Sequence, residues 1–141
     1  MTTLGITKSE LMRLLQSITD SARQVKGVDD AAYALLFAAR KNVENMLADY
    51  DILETLENDM RRGNITTADY YVTRKKTITD FYSNRTELLE GNFVGLTDRI
   101  PEHARHAILD RLKSVVTNSE FVGTALELVK VALPFILRKP S

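Results

Sequence analysis

The chain has 141 residues, enough for one domain that buries about two-thirds of the surface its unfolded form would expose. Apolar residues make up 44% and charged residues 27%, with six Gly and three Pro, a balance that excludes a disordered chain. Nineteen cations offset nineteen acids, so net charge draws in neither nucleic acid nor membrane, and the lack of Cys removes disulfides, thiolate nucleophiles and Cys-based metal sites.

Met1 to Ile6 lacks the basic region and long apolar core of a signal peptide. The first helix opens at Thr7, with Glu10 placed to complete a capping box. Leu11, Leu14, Leu15, Ile18, Ala22 and Val25 form one apolar stripe, and Gly27 ends the helix. Asp29 suits the cap of a longer helix reaching Arg62, with a break near Asp49 to Asp51 as the alternative. Ala32, Leu36, Ala39, Val43, Met46, Tyr50, Leu53 and Met60 recur in steps of three and four; Glu57 interrupts, with Leu56 beside it as substitute. Gly63 and Thr66 predict a tight turn, and a third helix then carries Tyr71, Ile78, Phe81, Tyr82, Leu88 and Leu89 inward until Gly91. Asn92 to Arg99 reads as a connector that tucks Phe93, Val94 and Leu96 under the bundle. Pro101 suits the first turn of a fourth helix burying Ala104, Ile108, Leu112 and Val115. Asn118 or Ser119 can cap a last helix over 119–138, in which Pro134 predicts a kink. The fold class is all-α: one domain over 1–141, an up-and-down helical bundle of four to five helices with a long central hairpin over 29–90.

No Gly-rich phosphate loop, nucleophile motif or dinucleotide fingerprint is present, so the expectation is a non-enzymatic protein without a cofactor. His103 and His106 lie close together with Glu102 and Asp110 nearby, but no third ligand is suitably spaced, and two solvent-facing histidines near a helix start are the better reading. The pairs Glu54 with Glu57 and Asp49 with Asp51 read as a solvated acidic face rather than as an acid and a base.

Charge is segregated within the neutral total. Residues 29–60 carry eight acids and two cations, whereas residues 61–85 carry six cations and two acids. Attraction between the two arms of the hairpin explains this pattern without a partner. The functional reading makes Arg61, Arg62, Arg74, Lys75, Lys76 and Arg85 contacts to DNA phosphates, without base specificity and aided by Tyr70 and Tyr82. From Phe121 to Leu137 only Glu127 and Lys130 are charged, and such a helix is either buried centrally, shared between subunits or docked on a membrane, the last being the least favoured. The self-assembly candidates are Phe121, Val122, Leu126, Val129, Leu133, Phe135, Ile136 and Leu137. Asn64 and Asn84 each begin a glycosylation sequon.

Two resemblances follow from these residues. The run from Leu53 to Lys76, with its leucines, its Gly-Asn-Ile-Thr turn and its acidic, aromatic and basic second arm, resembles the short helical hairpin called SHOCT. That likeness covers a sixth of the chain and implies a hairpin used in oligomerisation or as an appendage, with no catalytic residues. The size, the absence of Cys, the long hairpin, the apolar end and the sequons together resemble the helical-bundle coat proteins of archaeal spindle-shaped and rod-shaped viruses. This second likeness implies a structural, self-assembling capsid subunit located in the virion and enclosing DNA; the neutral charge balance departs from the strongly basic helices of the rod-shaped group. The alternative is a small cytoplasmic adaptor that binds a protein partner, and the two differ in whether the chain forms large polymers.

Overall fold

The computed structural model describes residues 4–115 and 120–138, and every regular element among them is helical. The five main helices are α1 (Lys8–Val25), α2 (Asp30–Arg61), α3 (Thr67–Glu87), α4 (Glu102–Val115) and α5 (Glu120–Leu137). Their starts follow local chemistry. Thr7 accepts a hydrogen bond from the Glu10 backbone N–H while the Glu10 carboxylate accepts one from that of Thr7, both at 3.1 Å, completing the capping box. Asp29 accepts from the Ala32 N–H and Thr66 from the Asp69 N–H, each also at 3.1 Å. The expected cap at Asn118 or Ser119 lies outside the described residues.

α2 is continuous for 32 residues, about 48 Å at 1.5 Å per residue, with no break near Asp49 to Asp51. Its end is a Schellman motif: Asn64 N–H donates to the Asp59 carbonyl and Gly63 N–H to that of Met60, with Gly63 at φ +72°. The chain reverses there, and α3 returns antiparallel along α2.

The expected connector after Gly91 is not irregular. Leu88–Phe93 continues α3 as a π-helical segment, followed by a single α turn, Val94–Leu96, and a 3₁₀ turn, Thr97–Arg99. Packing accounts for this: Leu88, Leu89, Asn92, Phe93 and Leu96 are all buried, and the wider π turn brings two adjacent pairs of residues inward. Gly95 sits where an added Cβ would come within 2.9 Å of the Leu35 side chain, so the absence of a side chain lets this stretch lie close to α2. The stretch ends on an anchor, because Arg99 grips Asp29 through Nε at 2.8 Å and Nη2 at 3.3 Å, joining the far end of the α3 continuation to the start of α2.

α1 lies between α2 and α5, α4 packs on α5, and the shared core runs from Leu11, Leu14 and Ile18 through Leu36, Val43 and Met46 to Leu112, Phe121 and Leu128. Ahead of α1, Leu4 and Ile6 are buried as a strap. The Ile6 carbonyl accepts from the Tyr50 hydroxyl, and the Leu4 carbonyl accepts from Arg85 Nη1 at 3.1 Å. The inward face of α3 is Tyr70, Thr77, Phe81 and Arg85, so Tyr71 and Tyr82, expected inside, are exposed.

A projecting hairpin arm as candidate interaction site

The hairpin outruns the bundle. Lys8, at the start of α1, bonds Asp51 at 2.5 Å and Glu54 at 3.4 Å, which marks where α1 ends its cover of α2. From Glu54 to Asp80 only Leu56, Tyr70 and Thr77 are buried. These residues seam the two helices of the arm together, with Tyr70 donating to Glu57 at 2.6 Å across the seam. Glu57, which breaks the apolar pattern of α2, is there to receive that hydroxyl.

Five of the six expected phosphate contacts lie along this arm. Arg61, Arg62, Lys75 and Lys76 are exposed and Arg74 is half-buried. Beside them on α3, Tyr71 and Val72 are 59% and 69% exposed, so the outer face combines cations with an aromatic ring and an apolar side chain. Among the described residues no ion pair joins the acids of α2 to these cations. The charge segregation is therefore not consumed by contact between the arms.

The sixth, Arg85, is a correction. It is 3% exposed, its guanidinium carbon lies 5.6 Å from the Phe121 ring centre and 5.8 Å from that of Tyr82, and burial lowers its pKa. Nε and Nη2 have no hydrogen-bond partner, leaving the Leu4 carbonyl and two ring faces to hold the charge. Such a side chain cannot reach a phosphate on the surface. Asn84 is corrected too: on α3 its Oδ1 accepts from Asn42 at 3.1 Å and Asn45 at 3.2 Å, and its amide donates to the Asp80 carbonyl at 3.1 Å, so the side chain is committed to the hairpin rather than offered for glycosylation. Asn64 is exposed in the turn.

The apolar end also departs from expectation. Phe121, Val122, Val129 and Ile136 are buried within the bundle, and Phe121 packs 6.5 Å from Phe93 between ring centres. Leu126 and Leu133 are half-buried in a groove against α1, leaving Phe135 and Leu137 at 40% and 42% exposure. The bundle already encloses most of this helix, because one of its faces meets α1 and another meets α4. Two side chains are too few for a large patch, so the tail loses its place as the main assembly surface. No described helix is long and apolar enough to cross a membrane.

No protein-family model, curated protein or solved structure gives a significant match to this chain. His106 pairs with Glu102 at 3.6 Å on the exposed side of α4, and among the described residues no three His, Asp or Glu side chains converge as a metal site.

A polar ladder through the α2–α3 interface escaped the sequence pattern. Asn92 donates to Asn42 at 2.6 Å, Asn42 donates to Asn84, and beyond them Asp49 is buried facing Asp80. The available signal was the spacing of Asn42 and Asp49, two turns apart on the buried seam of α2, with the exposed Asn45 at its edge.

Proposed function

We propose that the chain is a non-enzymatic structural subunit that assembles with copies of itself and meets DNA through the hairpin arm, in the manner of a virion coat protein. The observation that carries this reading is the arm itself. A two-helix projection with a bare outer face is a contact element, and this one places Tyr71 and Val72 beside a row of cations. Apolar surface of that kind favours another protein surface, while the cations suit phosphates at non-specific spacing. The neutral total charge fits a subunit that must pack against itself without strong repulsion.

The enclosure of α5 favours a second reading, an adaptor that stays small in solution and offers the arm to a different protein. Light scattering after size-exclusion chromatography, with electron microscopy of the same sample, separates the two. A structural subunit forms large regular assemblies as concentration rises or DNA is added. A monomer at high concentration, with DNA present, overturns the coat-protein reading and leaves the adaptor.

A further inference from the structure

Where the arm leaves the body, each helix turns oxygen-bearing side chains toward the other. On α2, Asn45 and Asp49 stand one turn apart; on α3, Asp80 is followed one turn later by Ser83 and Asn84. These residues and the small Ala48 line an open cleft of about 290 Å³. Asp49 is only 9% exposed, and its Oδ2 is buried with no hydrogen-bond donor, although buried carboxylate oxygens nearly always have one. Asp80 faces it from the other helix, and burial together with this like charge raises the Asp49 pKa. Among the described residues no Lys or Arg lines the cleft. Lys8 is committed to Asp51 and Glu54 and Arg85 to Leu4 and the ring faces, while Lys76, one turn before Asp80 on α3, is exposed and does not line the cleft.

We propose that this cleft binds a hard divalent cation, Mg²⁺ or Ca²⁺, between Asp49 and Asp80. The donor set decides the class. Two carboxylates, the Ser83 hydroxyl and the Asn45 side-chain oxygen are all hard ligands, with no imidazole or thiolate to favour zinc or copper. Asn45 spends its amide N–H on Asn84, which leaves its oxygen for the ion, whereas the Asn84 oxygen already accepts two hydrogen bonds and serves to orient Asn45. Four protein oxygens leave room for water in the remaining positions, which suits Mg²⁺ in particular, because it gives up its hydration shell reluctantly. A proton on Asp49 would satisfy only one of the two acids; a divalent ion neutralises both and ties α2 to α3 at the root of the arm.

The test is thermal unfolding of the full chain, freed of metal with a chelator, with and without millimolar Mg²⁺ or Ca²⁺ and with NaCl matching the ionic strength. Calorimetric titration of each ion accompanies it. One equivalent of either ion should bind, and saturation should raise the midpoint by about 5–10 °C. Asp80 is exposed, so Asp80→Asn folds whatever its effect on binding, and it should weaken affinity by about tenfold or more. Asp49→Asn should abolish the response. The proposal is overturned by an unchanged midpoint and no binding heat in the native chain, or by either variant responding as the native chain does. Stabilisation by acid alone, with no effect of either ion, assigns the cleft to a proton instead.

Discussion

Asp49 links the protonation of one buried carboxyl to the stability of the whole hairpin. Its pKa is raised in the folded protein above the ordinary value near 3.8, because the charged form is desolvated and faces Asp80. Between the ordinary value and the raised one, the native state therefore holds more protons than the unfolded chain. In that window stability falls as pH rises, having been fully present at lower pH. In metal-free buffer, urea unfolding of Asp49→Asn should show this loss removed, leaving the variant the more stable protein above the window. Phe121 gives a second test at this scale. It is fully buried between Phe93 and Arg85, so Phe121→Ala should cost about 3–5 kcal/mol, whereas Phe135→Ser at its exposed site should stay within about 0.5 kcal/mol. Equal costs for the two would contradict the enclosure of α5. Side-chain direction was only partly legible in the sequence. Counting back from Phe81 by four and then seven reaches Thr77 and Tyr70, the buried positions, but the more apolar alternative through Ile78 points to Tyr71. Arg85 was illegible for a different reason: a guanidinium buried between ring faces has no local signature, since its partners Leu4 and Phe121 lie far from it in the chain and on either side.

At the level of elements, signals that act over a few residues were the readable ones. The capping box at Thr7, the cap at Asp29 and the turn at Gly63 all appear where the residues place them, because each depends on neighbours within about one turn. Gly63 can be tested directly. At φ +72° a Cβ is strained even though the space around it is open, so Gly63→Ala should cost about 1 kcal/mol in urea unfolding and leave helical content unchanged. The π-helical stretch from Leu88 to Phe93 was not readable. Gly91 and Asn92 look like a stop signal in isolation, yet Leu88, Leu89, Phe93 and Leu96 have more to gain by staying in the core than the chain gains by breaking there. Local preference was overruled by packing, and the same force keeps α2 unbroken past Asp49.

For the whole molecule, the fold class and the hairpin were legible from periodicity and turns, while the division between a closed body and an open arm was not, since it depends on where α1 ends along α2. That division sets the two remaining predictions. Replacing Arg74, Lys75 and Lys76 with Gln should weaken DNA binding and lower the slope of log affinity against log salt by about 0.9 for each phosphate no longer neutralised, read by fluorescence anisotropy. An unchanged slope would remove DNA from the arm. Val72→Asp, at a 69% exposed position, should change stability by no more than about 0.5 kcal/mol yet block large assemblies in light scattering; assembly at native levels would place the contact elsewhere. The position of α1 between α2 and α5 bears on synthesis. α1 is translated well before α5, so a nascent chain halted ahead of Phe121 leaves α1 with one wall bare and Arg85 without its deepest ring contact. The ribosome must release the polypeptide through α5 before the body can close, whereas α2 and α3 can pair as soon as Glu87 has emerged.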